Sequence, residues 1–443
     1  VTAGLGADPY VPRSGDTRYR VERYDVDLDY RIATNRLAGR AEIALVTLAD
    51  TSVLSFDLVG LRASNVQVRG HKVAKMRQSE RRVRVTLSEG LPAGTALDVR
   101  IDYAGSPRPR RSPWGPIGWE ELEDGVLVAS QPTGAPTWFP CNDRVADKAR
   151  YRIAIACDQN HRVEATGRRV STTTRAGRTT HVFEEDTPTS AYLVTVQIGR
   201  YVSRQIAETA EGVPVAAVHP PALAARVDAD LAVVPRILET FERAFGPYPM
   251  SVCRLVVTED ELEIPLEAQG MAVFGANHID GRGGSERLVA HEIAHQWFGN
   301  SVGVGQWRDI WLNEGFACYA EWIWSEAKGG PSADELARTH HARLRQLPQD
   351  LLLSDPGPDL MFDDRVYKRG ALALHALRLT IGDPAFFDLV RAWTANHRHG
   401  VAASADFERM ADPVLAPWLH KRALPELPPR RSGRAAGPAR QDD

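Results

Sequence analysis

The apolar residues of this 443-residue chain change their period part-way along it. From about residue 18 to 103, the stretches YRVERYDVDLDYRI, GRAEIALVTL, RRVRVTLSE and ALDVRIDYAG alternate charged and apolar positions. A period of two places alternate side chains on opposite faces of a half-buried antiparallel strand. The segment GSPRPRRSPWGP (105–116) is too rich in proline and arginine for either regular structure and predicts a loop. Alternation resumes in YRIAIAC (151–157), HVFEED and AYLVTVQIG (191–199). Beyond about residue 200 the spacing turns helical. ALAARVDADLAVVPRILETFERAFG (222–246) predicts a helix closing on Gly246 before a proline, and CRLVVTED a short strand. SERLVAHEIAHQWFGN (285–300) predicts a helix ending near Gly299, and WLNEGFACYAEWIWSEAKGG (311–330) and RVYKRGALALHALRLTIG (365–382) predict two more.

Strands and helices segregated in this way predict an α+β protein of more than one domain. The expected division is an irregular lead-in over 1–15, an all-β domain over 16–202, a mostly helical domain with a small β-sheet over 203–426, and a disordered Pro/Gly/Arg-rich tail over 427–443. The formal net charge of −3 carries no nucleic-acid footprint, and no apolar run approaches the ~18 residues of a membrane span, so neither partner is expected. The first residues, VTAGLGADPY, lack the basic and apolar regions of a signal peptide. Four scattered cysteines (Cys141, Cys157, Cys253, Cys318) predict buried free thiols and a cytoplasmic location.

The chemistry concentrates in HEIAH (291–295). Histidines four residues apart lie one above the other on a helix face, so both imidazoles can meet one ion. Glu292 projects from a neighbouring azimuth, within reach of a water on that ion. A catalytic zinc takes three protein ligands and keeps one open position. The next helix offers Glu314, nineteen residues after His295. Glu321, two turns further, is either a partner that orients a ligand histidine or a solvated helix acid. The remaining histidines (His340, His341, His375, His397, His399, His420) are expected to be surface or internally satisfied residues. Trp307, Trp311, Trp322 and Trp324 are expected in the core around the two metal helices.

HEIAHQWFGNSVGVGQWRDIWLNEGFACYAE (291–321) resembles the zinc core of the aminopeptidase N family of gluzincins, which includes leukotriene A4 hydrolase. WFPCND (138–143) with DKARY (147–151), AYLVTVQIG and VYKRGA (366–371) extend the resemblance to roughly residues 15–426. It implies a saddle-like N-terminal β domain, a thermolysin-like catalytic domain, and one zinc per chain held by His291, His295 and Glu314. It also implies that Glu292 acts on water, that Tyr367 stabilises the oxyanion, and that Glu267 in IPLEAQGMAVFG (264–275) binds the substrate N-terminus from an edge strand. Gln131 aligns with a second ammonium-binding position, which many relatives fill with glutamate. The sequence departs from the family pattern at Leu266, at Ala268-Gln269, at Pro136-Thr137, at Arg144-Val145 and at Arg369. The expected activity is metal-assisted release of N-terminal residues from peptides with a free N-terminus. A gluzincin endopeptidase and a catalytically silent peptide-binding scaffold are the alternatives; the first would lack Glu267 and the second would not need Glu292. The oligomeric state stays open.

Overall fold

In the computed structural model, residues 6–429 are described; most of the expected tail lies outside them. The first half is built of strands with three short 3-10 turns and no α-helix among the described residues. A seven-stranded sheet runs in the order Arg168–Arg175, Arg178–Ser190, Lys148–Asp158, Tyr19–Arg31, Arg36–Thr47, Ala96–Gly105, Arg62–Val68. A three-stranded and a five-stranded sheet complete this half. Tyr19, Tyr24, Tyr30, Trp119, Trp138, Phe139 and Tyr151 are buried between these layers and supply much of the apolar area that holds them. One pairing is not antiparallel. Tyr19–Arg31 lies parallel to Lys148–Asp158, which the long intervening chain permits because a parallel pair needs a crossover.

The expected loop over 105–116 contains regular structure after all. Arg110–Ser112 pairs with Gly115–Ile117 in a tight hairpin. Ser112 closes it by donating its hydroxyl to the Gly115 carbonyl at 2.7 Å, and Gly115 takes the left-handed φ of +103°. The Trp114 indole at its tip donates to the Pro358 carbonyl at 3.0 Å and packs edge-on against Phe362.

The second half contains nine α-helices among the described residues: α1 Ala224–Asp230, α2 Val234–Phe245, α3 Glu286–Ala294, α4 Trp311–Ala327, α5 Ala333–Leu344, α6 Asp364–Ile381, α7 Asp383–Asn396, α8 Ser404–Met410 and α9 Leu415–His420. The helix expected over 222–246 is broken at 231–233, because Pro235 offers no N–H and its ring crowds the carbonyl four residues back. Helix α3 also stops sooner than expected. After His295 the chain loosens into bonds that span five residues, from Asn300 N to His295 O, Ser301 N to Gln296 O and Val302 N to Trp297 O, all reaching across Gly299, which turns the chain with a φ of +109°. A Cβ at Gly299 would crowd Asn313 and the His295 ring.

Beside the helices lies a five-stranded sheet in the order Val202–Glu208, Pro214–His219, Cys253–Val257, Met271–Phe274, Leu266–Ala268. The sequence IPLEAQGMAVFG is therefore a hairpin turned at Gln269-Gly270, with Leu266–Ala268 as the sheet edge. Trp307, Trp311, Trp322 and Trp324 are buried as expected, and His375 is satisfied between Tyr319 and Asp334.

Helices α4 and α6 cross at Gly315 and Gly370. A Cβ on Gly315 would fall 2.8 Å from the Gly370 Cα, so the two backbones touch. Glu314 precedes the first glycine and Tyr367 lies one turn before the second, so this crossing sets how closely the two approach. Gly315→Ala would add about 0.8–1.0 kcal/mol of helix propensity. Against that, wedging two backbones apart costs about 1–3 kcal/mol. We expect a lower denaturation midpoint together with a lower kcat, because α6 carries away Tyr367, the expected oxyanion donor. An unchanged midpoint and kcat would show that the helices do not need this contact.

Candidate metal centre

The two imidazoles of α3 face α4. His291 Nε2 lies 3.5 Å and His295 Nε2 3.4 Å from the same Glu314 oxygen. Two ligand atoms about 2.1 Å from a tetrahedral zinc are about 3.4 Å apart, so the spacing fits that ion. The other ring nitrogens are already engaged. His291 Nδ1 is 2.7 Å from Glu321, and His295 Nδ1 is 3.0 Å from the Phe298 carbonyl. Both contacts leave Nε2 free to meet a metal, as orienting partners of ligand histidines do. Of the two readings of Glu321, the structure thus selects the orienting partner: it is buried, accepts from Arg287 at 2.9 Å and lies 3.9 Å from the Lys368 ammonium. Burial would raise the Glu321 carboxyl, but the hydrogen bond from His291 and the nearby cations hold it at about 2. Burial would likewise raise Glu314, but His295 and His291 together hold it at about 2.

Glu292 sits beside this cluster. It is buried, and its Oε2 has no hydrogen-bond partner. Burial, with Glu314 and Glu321 nearby, raises its carboxyl above the ordinary range against the pull of His291 and His295. An uncommitted oxygen with raised basicity is what proton transfer requires.

Glu267, Glu292 and His295 offer atoms all within 4.8 Å of one another, so the edge strand reaches the same cluster. Gln131 donates its amide N–H to Glu267 at 2.6 Å, across the two halves of the molecule. Burial raises the Glu267 carboxyl to about 7, with His295 opposing and Glu314 and Glu292 reinforcing. Tyr367 is half-buried in the first turn of α6, its ring stacked 6.2 Å from His291. Arg369 points away and donates to the carbonyls of Trp418, Lys421 and Arg422, closing the C-terminal end of α9.

Several positioning residues were not foreseen. Gln296 donates to Ala268 O at 3.1 Å and accepts from Gly270 N at 2.9 Å; Asn300 donates to Ala268 O at 2.8 Å. These buried amides tie the turn after α3 to the hairpin carrying Glu267. Lys148 donates to the carbonyls of Asn300 and Ser301 at 2.9 and 2.8 Å, anchoring the β domain to that turn. The sequence signal for Gln296 and Asn300 was an amide at each end of the otherwise apolar run QWFGN, directly after the second histidine.

An HExxH helix, a glutamate on the following helix and a β domain packed alongside make up the architecture of two-domain M1 zinc metallopeptidases. The chain belongs to peptidase family M1: the Peptidase M1 N-terminal domain matches residues 20–193 and the Peptidase family M1 domain residues 229–415. Leucyl aminopeptidase of Saccharolobus solfataricus is 24% identical over an alignment covering 94% of this chain and 55% of the relative. Endoplasmic reticulum aminopeptidase 1 of Mus musculus is 27% identical, covering 80% of this chain and 42% of the relative. The chain thus spans about half the length of the curated relatives it matches. Among solved structures, an M1 zinc metallopeptidase from Deinococcus radiodurans is 29% identical with a TM-score of 0.87, covering 95% of this chain and 99% of that one. A two-domain M1 zinc metallopeptidase mutant bound to L-arginine is 28% identical with a TM-score of 0.88.

Proposed function

We propose that this chain is a zinc metalloaminopeptidase that holds one zinc through His291, His295 and Glu314 and removes N-terminal residues from peptides. The observation that carries the reading is Glu267, a carboxylate outside the ligand set, brought within 4.8 Å of Glu292 and His295 from the edge of a sheet. An extended peptide can add to that edge. Glu267, held by Gln131, then takes the substrate ammonium. When bound, zinc supplies Lewis-acid activation of a water and of the substrate carbonyl. The Glu292 Oε2 accepts the proton of the attacking water and passes it to the leaving amine nitrogen. The Tyr367 hydroxyl donates to the developing oxyanion, a contact worth about 2.7–4 kcal/mol at such a site. The orphan Oε2 of Glu292 also argues against a silent scaffold, where a buried unpaired carboxylate would cost stability for no return.

A structure in the same family is described with a Tyr-Ser-Ala substrate, which supports peptides as the substrate class. All four cysteines are buried and free, which supports a reducing, cytoplasmic location. Among the described residues no helix is long and apolar enough to cross a membrane.

The test is the substrate amine. Aminoacyl amides should be cleaved, and their N-acetylated forms should not. Glu267→Ala should lower kcat/KM for free-amine substrates by about 10- to 100-fold, the loss of a buried charge-assisted contact. Equal cleavage of blocked and free peptides would replace this reading with an endopeptidase.

A further inference from the structure

We propose that a basic pocket beside the metal centre binds a carboxylate carried by the departing part of a short peptide substrate. This rests on the aminopeptidase reading and adds a substrate class to it. The pocket, of about 440 Å³, is bounded by α3, α4, α5 and the start of α6. Arg287, Lys328, Arg343 and Lys368 line it, against the two carboxylates of Glu321 and Asp364. Trp322 forms a wall, with the His340 ring stacked on it and His340 Nδ1 left without a partner.

The polarity of the site directs substrate towards this pocket. Glu267 lies on the His295 side of the centre, so the peptide N-terminus is held there. The chain beyond the scissile bond must leave on the opposite, His291 side. That side is where Glu321, hydrogen-bonded to His291, forms the inner wall of the pocket. One residue advances an extended chain by ~3.3–3.6 Å, so a carboxylate one to three residues past the scissile bond lies within ~11 Å of it.

Lys368 is buried and donates to Cys318 at 3.2 Å, but the other three cations are available to a ligand. Arg287 gives one N–H to Glu321 and is 59% exposed; Arg343 is 62% exposed and meets Asp364 only at 3.5 Å. Lys328 pairs with Glu286 at 3.0 Å, also near the surface. Exposed pairs of this kind hold weakly, and guanidinium groups match a carboxylate in two-point fashion. The chemistry recognised is a carboxylate, whether the peptide's own C-terminus or an acidic side chain near it.

The experiment compares four substrates of the zinc-loaded full chain at low salt: Leu-Ala-Ala with a free carboxylate, its C-terminal amide, the amide Leu-Ala-Glu-NH2, and leucine p-nitroanilide. The free acid should exceed the Ala amide by about fivefold or more in kcat/KM, mainly through KM. Lys328→Gln with Arg343→Gln should abolish that preference and leave anilide hydrolysis unchanged. If Leu-Ala-Glu-NH2 matches the free acid, side-chain carboxylates are accepted; if it matches the Ala amide, the C-terminal carboxylate is the ligand. Equal rates for all three peptides beside normal anilide hydrolysis would overturn the pocket assignment alone, as would a preference that survives the double substitution. Failure to cleave the anilide or any peptide would overturn the aminopeptidase reading and the pocket's role with it.

Discussion

Glu292→Gln should keep the zinc and lower kcat by about 10²- to 10⁴-fold, the range for losing a positioned proton acceptor. The amide is nearly the same shape, and Glu292 is not part of the His291, His295 and Glu314 group, so that geometry should survive. What disappears is the one buried carboxylate oxygen in the cluster with nothing bound to it. Removing a carboxylate whose basicity burial has raised also removes a desolvation penalty, so the variant should be at least as stable as the parent. Metal content by elemental analysis, a thermal melt and kcat on an aminoacyl amide together check this. Near-parental kcat with metal retained would strip Glu292 of its role.

His295→Ala should act at the earlier step, on the metal itself. Two protein ligands fall short of the three that a catalytic zinc requires, and the vacated position opens onto a buried site. Purified protein should carry well under one zinc per chain, and activity should fall to background. Adding zinc back should not restore it, whereas wild-type protein stripped with a chelator should recover on readdition. The substitution also removes the tie from the imidazole to the Phe298 carbonyl at 3.0 Å, so the turn after α3 should loosen. Equal zinc in the variant and the parent would refute the ligand assignment. The two substitutions separate binding from chemistry: one spares the metal and loses turnover, the other loses both.

The proposed metal ligands could be picked out of the sequence for reasons of backbone geometry. His291 and His295 lie on one helix face whatever surrounds them, since 3.6 residues per turn fixes their azimuth. Glu314 was legible because the next helical pattern begins close behind, so a short connection had to fold it back. The strand half was legible because period-two alternation survives any sheet order, although the parallel pairing of Tyr19–Arg31 left no local mark. Misjudged elements were those where a local rule met a tertiary one. The proline-rich segment became a hairpin because Trp114 finds a site against Pro358 and Phe362 in the other half of the molecule. Helix α3 stopped early because the turn after it must deliver Phe298, Asn300 and Ser301 carbonyls and amides to partners elsewhere.

What the sequence alone determined is therefore the set of reactive groups and the element each one rides on. The relation between those elements was decided by tertiary contacts. Gln131 meets Glu267 across 136 positions of chain, and Lys148 meets Asn300 across 152. The closeness of Tyr367 to His291 depends on Gly315 and Gly370 having no side chains at the point where α4 and α6 touch. Backbone periodicity is a local property, set within a few residues by hydrogen bonding and sterics. Distances between elements are set by which surfaces exclude water and each other's atoms, and no segment read by itself contains that information.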